Sequence, residues 1–472
     1  MSENIARTGS MRAGNNGGGF AARAGRGATR PCRAMRARRK GGRCIGALAL
    51  VAWLGSTQAP AADFRISSFN QNGLLSWTNA FPSGVCTIEA ADAPNGPWQP
   101  QLNTFTTSST GQAAFAKAPQ NRFYRLLAVD LSPGNPNGFA NLTRAYGRLR
   151  TIAGNGGGSL DGVNYWLSNF EGGFATNAAL SRPHMATADA AGNVFIADKN
   201  SHAVLQVTPD ARIHTVAGLH APGNGPDGPA PGTSVALNSP NGLWLGADGT
   251  VYVLDTGNGK VRWLDSNGLL TTLFTSPKGI NGGRGLWVKD DRTLAYFDSG
   301  SHVKKWTPGG GIQSVNLGDF NDLGNFIVNP AGDLIVTDHG ANQVYLLLTS
   351  GANPGSSTVL FGNGMTGRAV DGTPALSNVL YGVRGVWPVP TGGHLLATQE
   401  GSQVLYIDPA GILHILLDGA AGFHMGDGQW FYLPGFKISE ARSVTMDCRG
   451  NILIVENDRG YVRQVDFLRL DP

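Results

Sequence analysis

Cysteine is scarce in this chain, with four residues among 472. Cys32 and Cys44 fall in an N-terminal segment that we expect to be removed, which leaves Cys86 and Cys448. Two cysteines are too few for a disulfide framework, and neither has a cysteine or histidine neighbour at zinc-binding spacing. We therefore expect two buried thiols rather than a bridge between domains.

Charged residues are also few, at 15% of the chain, and they are unevenly distributed. Residues 1–62 hold eleven Lys or Arg and one acidic residue, so the remainder carries 26 basic and 31 acidic residues. The net charge of +5 is therefore a property of the N-terminus, and the rest of the chain is mildly acidic. This distribution argues against a nucleic-acid partner.

The chain has one short apolar run after a basic segment, and this run is too short to cross a bilayer. Residues 36–43 are basic, residues 44–55 are apolar, and small residues suited to cleavage follow at 59–62. This order is typical of a secretory signal peptide, so we predict that residues 1–62 are a leader and that the protein is periplasmic, on the cell surface or extracellular. Met35 would begin a leader of ordinary length, which would place the first 34 or so residues upstream of the true start.

The chain does contain a strand-rich unit that recurs six times between Pro183 and Leu468. Each copy has three or four short apolar or alternating runs separated by Gly, Asp and Asn turns, as at 194–198, 203–207 and 213–218. A four-stranded antiparallel sheet requires this pattern. Six copies predict an all-β fold, a six-bladed β-propeller.

The copies resemble the NHL repeat, whose pattern includes Gly-Asn-apolar-Tyr-apolar-Ala-Asp followed by a basic-apolar strand. Residues 192–198, 249–255 and 447–457 carry the resemblance, whereas Thr398-Gln399-Glu400 replaces the usual Asp turn in the fifth copy. The resemblance implies a secreted bacterial NHL-type propeller over residues 143–472. It implies no activity, because propellers host unrelated functions.

We expect the ring to close between the two ends of this region. The last copy has only three strands before Pro472, while Leu149 lies in an apolar segment whose own blade is missing. We predict that the segment around Leu149 pairs with the segment around Val465, so that no incomplete blade exposes an edge.

Residues 63–129 do not follow the repeat pattern and instead contain short strand-like runs separated by Gly-containing turns. The spacing predicts a small β-sandwich of fibronectin-III-like type, with Trp77, Trp98 and Tyr124 as core aromatics. Residues 130–142 are predicted to be a linker because they are rich in Pro, Gly and Asn. The predicted strands begin at Phe64, Leu74, Val85, Ala113 and Phe123.

One column of the repeat is the candidate site. Long connections between copies, at 154–181, 218–239, 361–382 and 418–440, should share a face with the starts of the innermost strands, and such loops commonly carry binding residues. The innermost strands begin with His184, Asn241, Arg284, Gly324, Arg384 and Arg442.

Three guanidiniums and an imidazole at the mouth of a central channel would bind a carboxylate, sulfate or phosphate group. The alternative is that each arginine pairs with an acidic neighbour and only joins blades, because converging like charges are costly without a partner. The acidic neighbours considered are Asp255, Glu440 and Glu456.

Two further sets of residues recur. One set is the aspartates that precede glycine in the four long connections: Asp161, Asp227, Asp371 and Asp427. Asp-Gly chiefly favours turns and is only a weak indication of calcium. We therefore predict no cofactor, with calcium as the possible exception. Trp244, Trp287 and Trp387 share another column of the innermost strands and are predicted to be core between blades.

The leading functional hypothesis is a monomeric binding or scaffold protein that presents its long connections to a protein, peptide or glycan ligand. The sequence contains no nucleophile elbow, paired-histidine motif or phosphate loop. One alternative is a metal-dependent propeller enzyme, either a lactonase-like hydrolase or a lyase of the peptide-amidating type, although the column is a poor set of metal ligands. The other alternative is a purely structural envelope protein.

Overall fold

The computed structural model describes residues 64–70, 72–115 and 122–469, all within one compact unit, Leu48–Pro472. The predicted leader, residues 1–62, lies outside the described residues. Within the described ranges, the helices are too short or too polar to span a bilayer.

Six strands form the first part of the described chain: β1 (Arg65–Phe69), β2 (Leu74–Thr78), β3 (Gly84–Ala91), β4 (Gln99–Thr106), β5 (Gly111–Ala114) and β6 (Phe123–Asp130). They make two three-stranded antiparallel sheets, β1-β2-β5 and β4-β3-β6. Five of these strands lie where the sequence predicts them. The pattern does not predict β4, because its residues are mostly polar and its two buried members are Asn103 and Thr106.

A buried core between the two sheets includes Leu75, Trp77, Ile88 and Tyr124. The expectation that Trp98 belongs to this core is wrong. Trp98 precedes β4 and is only partly buried, and the guanidinium of Arg125 lies over its ring, 4.5 Å from the centroid.

The predicted linker is partly helical. Helix α1 (Gly138–Ala145) begins inside it and buries Leu142 and Ala145. Before the helix, the side-chain amide of Asn135 donates a hydrogen bond to the carbonyl oxygen of Asp130 at 2.9 Å. These contacts order the segment despite its Pro, Gly and Asn content.

β7 (Leu149–Ala153) follows α1, and the remaining described strands complete six larger antiparallel sheets. Sheet 1 contains β8 (Pro183–Ala188), β9 (Val194–Asp198), β10 (Ala203–Val207) and β11 (Ile213–Gly218). Sheet 2 contains β12 (Ala230–Pro231), β13 (Pro240–Leu245), β14 (Val251–Asp255), β15 (Lys260–Leu264) and β16 (Leu269–Thr275). Sheet 3 contains β17 (Leu286–Val288), β18 (Ala295–Ser299), β19 (His302–Thr307) and β20 (Gly311–Ser314).

The last three sheets follow the same order. Sheet 4 contains β21 (Leu323–Val328), β22 (Leu334–Asp338), β23 (Gln343–Leu347) and β24 (Ser357–Phe361). Sheet 5 contains β25 (Thr373–Pro374), β26 (Val383–Pro388), β27 (His394–Thr398), β28 (Gln403–Ile407) and β29 (Ile412–Leu417). Sheet 6 contains β30 (Ala441–Met446), β31 (Ile452–Glu456) and β32 (Tyr461–Val465), and β7 is its fourth strand.

The pairing of β7 joins the two ends of this region. Leu149 pairs with Val465, and Ala153 pairs with Val462. The prediction that the segment around Leu149 pairs with the segment around Val465 is therefore confirmed. The pairing covers an edge of β32 that would otherwise be free to pair with another chain.

We call β8, β13, β17, β21, β26 and β30 the inner strands. Each contacts the next in this order, and β30 contacts β8, so the inner strands form a closed circuit. Apolar side chains fill the space between neighbouring sheets; Ile196 and Leu205 of sheet 1 share a buried cluster with Leu453 of sheet 6. The architecture is all-β and consistent with a β-propeller.

The small sheets pack directly on the last two large sheets. The ring of Phe105 in β4 stacks on Phe467 with centroids 4.4 Å apart, and one buried cluster includes Val85, Tyr146 and Tyr406. The hydroxyl of Tyr146 donates a hydrogen bond to the carbonyl oxygen of Gly450 at 3.0 Å.

Cys86 and Cys448 are both free thiols. Cys86 is buried as expected, and burial raises the pKa of its thiol to about 12. Cys448 is exposed, so the expectation of two buried thiols is wrong for this residue. Cys448 lies in the turn between β30 and β31, beyond the strand positions that face the core.

Candidate functional site

The predicted column lies at the start of the inner strands, where the strand pairing is irregular. The register shifts around His184 in β8 and, in the same way, at the column residues of β13, β21, β26 and β30. Arg284 lies two residues before the first residue of β17. A β-bulge leaves its extra residue outside the hydrogen-bonded ladder and redirects its side chain, so the bulges explain why these residues leave the sheet faces.

The structure brings four of the column side chains together. Burial, followed by the positive charges of Arg442 and Arg284, lowers the pKa of His184 well below its usual range. Burial, followed by Arg384 and Arg284, lowers the pKa of Arg442 in the same way. His184 is therefore neutral at neutral pH and lies within the field of the arginines.

The other two column residues take different roles. Asn241 is 5% exposed, and its Oδ1 has no hydrogen-bond partner among the described residues. Gly324 has no side chain to contribute, and a Cβ at this position would lie 2.5 Å from the carbonyl oxygen of Arg384. Glycine is thus required where β21 approaches β26 closely.

A single carboxylate, that of Asp322, neutralises two of the arginines. Its Oδ2 lies 3.0 Å from Nη1 of Arg384 and its Oδ1 lies 3.4 Å from Nη1 of Arg284. Burial acts to raise the pKa of Asp322, but the hydrogen bond from His339 and the charges of both arginines outweigh burial and hold this pKa well below its usual range. Asp322 is therefore ionised at neutral pH.

A neutral oxygen joins Arg384 to Arg442. Oε1 of Gln399 accepts hydrogen bonds from Nε of Arg384 at 2.8 Å and from Nη1 of Arg442 at 2.7 Å. No carboxylate among the described residues lies within ion-pair distance of Arg442. Its buried Nε also has no hydrogen-bond partner in this part of the chain.

The acidic partners expected from the sequence are the wrong ones. Asp255 pairs with Arg262 at 2.8 Å, and Glu456 pairs with Arg463 at 2.6 Å. Asp255 is the last residue of β14 and Glu456 is the last residue of β31, and each pairs with an arginine of the neighbouring strand, β15 or β32. Within the described ranges Glu440 forms no ion pair, and burial, followed by the charge of Asp458, raises its pKa.

His339 extends the cluster to a second carboxylate. Its Nδ1 lies 3.1 Å from Oδ2 of Asp322 and its Nε2 lies 2.8 Å from Oε2 of Glu400. Burial acts to lower the pKa of His339, but the two carboxylates outweigh burial and raise it. Asp322 and His339 are not predicted from the sequence, and neither are the roles of Gln399 and Glu400. The departure from the repeat at Thr398-Gln399-Glu400 was a usable signal for the last two.

The connections between sheets expose apolar side chains. Among the described residues, all fifteen large hydrophobic side chains that are exposed lie between the last long strand of one sheet and the inner strand of the next. Leu317 is 79% exposed and Met365 is 65% exposed. Phe423 and Phe436 contact each other with centroids 5.7 Å apart. The face that carries the column therefore has an apolar periphery.

The aspartates of the four Asp-Gly turns do not meet one another, and each contacts a residue in or next to a strand. Asp161, Asp227 and Asp427 pair with Lys199, Lys260 and Arg463 at 3.2, 2.7 and 2.8 Å. Asp371 accepts a hydrogen bond from the backbone N–H of Ile415 at 2.7 Å. Within the described ranges, no three His, Cys, Asp or Glu residues are grouped so as to hold a metal ion.

No protein-family model and no curated protein sequence matches the chain. Solved structures do resemble it. A structural genomics protein of unknown function from Bacteroides thetaiotaomicron VPI-5482 has a TM-score of 0.54 at 13% identity, with 87% of this chain and 99% of that chain covered.

Two auxiliary nutrient binding proteins are similar to the same extent. The protein from Bacteroides thetaiotaomicron VPI-5482 has a TM-score of 0.51 at 11% identity, with 86% of this chain and 98% of that chain covered. The protein from Bacteroides ovatus ATCC 8483 has a TM-score of 0.50 at 11% identity, with coverages of 83% and 93%. At such identities the likeness concerns the fold alone, and it agrees with a propeller-like arrangement.

Proposed function

We propose that this chain is an exported binding or scaffold protein of the NHL type. In this proposal sheets 1 to 6 are the six blades of a β-propeller, and residues 63–129 are a small fibronectin-III-like β-sandwich. The face with the long connections holds a protein, peptide or glycan ligand, and the column residues receive an anionic group of that ligand.

The observation that carries the proposal is the incomplete neutralisation of the column. Two of the three guanidiniums, Arg284 and Arg384, share one ionised carboxylate, Asp322. Among the described residues Arg442 has the neutral oxygen of Gln399 and no carboxylate partner. Burying unpaired positive charges costs free energy unless an anion binds among them. Arginine donors are suited to that task because they present planar, bidentate hydrogen bonds to oxyanions.

The apolar periphery supports a ligand larger than the anionic group. Exposed hydrophobic side chains cluster on the connections around the column, and apolar area of this kind marks interaction sites on soluble proteins. A binding role also agrees with the two auxiliary nutrient binding proteins, whose likeness extends to the fold.

Titration calorimetry of the full chain with acetate, sulfate and inorganic phosphate tests the proposal. Low ionic strength is required because salt screens such sites. We expect saturable binding, about tenfold weaker in Arg442→Gln because a charged hydrogen-bond donor is worth roughly 1.5 kcal/mol or more. Asp322→Asn should bind about fivefold more tightly, because removing a competing charge gains about 1 kcal/mol.

The control is Arg212→Gln, whose guanidinium lies over the ring of Phe174, outside the column. This variant should bind anions as the wild type does. Binding that is equal in Arg442→Gln and wild type would place the anion elsewhere, and a lack of binding by every anion would refute the proposal. Circular dichroism of each variant separates lost binding from lost folding.

The metal-dependent alternative has its own test. Metal analysis of the purified full chain would favour an enzyme if it found stoichiometric zinc or calcium. Stoichiometric calcium that disappears in Asp227→Asn would assign the metal to the Asp-Gly connections, since Asp227 lies in one of them. The described residues supply no observation that favours this alternative over binding.

A further inference from the structure

Three tryptophans from different sheets meet near the centre of the circuit of inner strands. The ring of Trp244 in β13 lies 6.3 Å from the ring of Trp287 in β17. It also lies 6.3 Å from the ring of Trp387 in β26. All three side chains are partly buried, and the buried Nε1 of Trp244 has no hydrogen-bond partner among the described residues.

The contact between Trp244 and Trp387 crosses the circuit. Two inner strands separate β13 from β26 along either path, β17 and β21 on one side and β8 and β30 on the other, so the two strands are opposite each other. Trp387 also packs against the buried cluster of sheets 1 and 2, which contains Met185 and Leu243. The tryptophans therefore close the centre at their level.

The closed level lies beyond the column when viewed from the long connections. Each tryptophan follows a column residue by three positions: Trp244 follows Asn241, Trp287 follows Arg284, and Trp387 follows Arg384. Three residues of strand span about 10 Å. A group that reaches the arginines from the long connections therefore has the three tryptophan rings beyond it, and we call these rings the tryptophan floor.

The charges of the column favour an incoming anion. Arg284 and Arg384 share the carboxylate of Asp322, whereas Arg442 has no carboxylate within ion-pair distance among the described residues. Glu400 pairs with His339, and Arg182 offsets Glu440. Three guanidiniums against one carboxylate leave an excess of two positive charges. A planar carboxylate takes up part of this excess and matches the flat geometry of guanidinium donors.

We propose that the column and the three tryptophans form one blind well that binds an aromatic carboxylate, with the carboxylate on the arginines and the ring on the tryptophan floor. This inference rests on the proposed function and narrows its ligand class. The ring gains from burial against aromatic faces, and the unpartnered donor of Trp244 and acceptor of Asn241 supply polar contacts for substituents of the ring.

Benzoate, acetate and inorganic phosphate are the probes, titrated by calorimetry into the full chain. We expect benzoate to bind about tenfold more tightly than acetate, and phosphate to bind no more tightly than acetate. In Trp244→Leu the benzoate affinity should fall to that of acetate, whereas acetate binding should be unchanged. The matched control is Trp263→Phe in β15, which belongs to the same sheet as Trp244. This variant should keep the preference for benzoate.

Intrinsic tryptophan fluorescence gives an independent measurement that does not depend on a folded variant. Benzoate should change the emission of the wild type at the concentrations at which it binds, whereas acetate should change it much less. Benzoate that binds without changing the emission would overturn the tryptophan floor.

The outcomes separate this inference from the proposed function. If acetate binds and Arg384→Gln abolishes its binding, but benzoate has no advantage, the anion site stands and the aromatic ligand class is wrong. If phosphate binds best, the carboxylate assignment is wrong. If binding of all three probes is indifferent to Arg384→Gln, both the well and the proposed function fail.

Discussion

Each inner strand pairs with the strand that follows it in the chain, such as β9 or β18. Buried carboxylates near the ends of these neighbouring strands hold the connections that lead to the inner strands. Oδ1 of Asp298 accepts hydrogen bonds from the backbone N–H groups of Arg284 and Gly285, both at 2.6 Å. Asp198 accepts one from Ser181 at 2.6 Å. Burial outweighs these hydrogen bonds, so the pKa values of Asp198 and Asp298 are raised to about 7.

This burial predicts a pH-dependent stability. The folded pKa of Asp298 exceeds the unfolded value near 3.9, so between about pH 4 and pH 7 the folded protein binds more protons than the unfolded chain, and stability falls as pH rises. The free energy of unfolding should fall less between pH 5 and pH 8 in Asp298→Asn than in the wild type, by on the order of 1–3 kcal/mol. Urea unfolding at both pH values measures this difference.

The control for this prediction is Asp291→Asn, since hydrogen bonds with Lys289 and Thr293 lower the pKa of the exposed Asp291 to about 2. Asp291 is ionised at both pH values, so Asp291→Asn should lose as much unfolding free energy between pH 5 and pH 8 as the wild type does. A wild type and an Asp298→Asn variant with the same pH dependence would show that Asp298 does not titrate in this window.

At the residue scale, the repeat predicts the column but not its counter-charges. His184, Arg384 and Arg442 are found because they occupy one position of a recurring pattern. Asp322 lies in a connection, where no periodicity indicates which side chain turns inward. Which carboxylate neutralises an arginine depends on loop geometry, and neither composition nor spacing fixes that geometry.

At the scale of elements, arginines on β15 and β32 bind the long connections to their sheets. Nη1 of Arg463 in β32 lies 2.6 Å from Oε1 of Glu456, and its Nη2 lies 2.8 Å from Oδ1 of Asp427 in the connection before β30. In sheet 2, Arg262 pairs with Asp255 and donates a hydrogen bond to the carbonyl oxygen of Pro226. The connections are thus held by buried charges in addition to apolar side chains such as Leu180, Leu237 and Ile438.

The two contacts of Arg463 should differ in strength. Arg463 and Glu456 are buried, at 1% and 0% exposure, and His424 is the second cation of this carboxylate, at 2.6 Å. Arg463→Gln therefore removes one of two charged partners of Glu456 and should cost about 1.5–3 kcal/mol of unfolding free energy. Asp427 is 55% exposed, so Asp427→Asn should cost less than about 1 kcal/mol. Urea unfolding at pH 7 measures both, and similar costs for the two variants would contradict the assignment.

Strand positions follow from the sequence more readily than the bulges do. Apolar runs with turn residues between them predict the inner strands, and the unpaired segment around Leu149 predicts the pairing confirmed with Val465. The strand β4 escapes prediction because cross-strand pairing, not apolar alternation, holds its polar residues in place. The bulges are not predicted, because an extra residue in a strand leaves no characteristic residue type in the sequence.

At the scale of the whole molecule, the small sheets and the large sheets share one core. Val85 of β3 belongs to the same buried cluster as Leu149 of β7 and Val444 of β30. The sequence predicts a linker at 130–142 from its Pro, Gly and Asn content, and composition alone cannot show that the neighbouring domains pack on each other. A shared core implies that the two parts unfold together.

Calorimetry of the full chain should therefore show one cooperative unfolding transition. Phe467, 3% exposed, stacks on Phe105 and contacts Tyr146 with centroids 4.8 Å apart. Phe467→Ala should cost about 3–5 kcal/mol and lower the transition temperature. Phe436→Ala is the control, because its ring is 46% exposed and should change stability little. Two resolved transitions in the wild type would mean that the contact surface around Phe467 is too weak to couple the small sheets to the large ones.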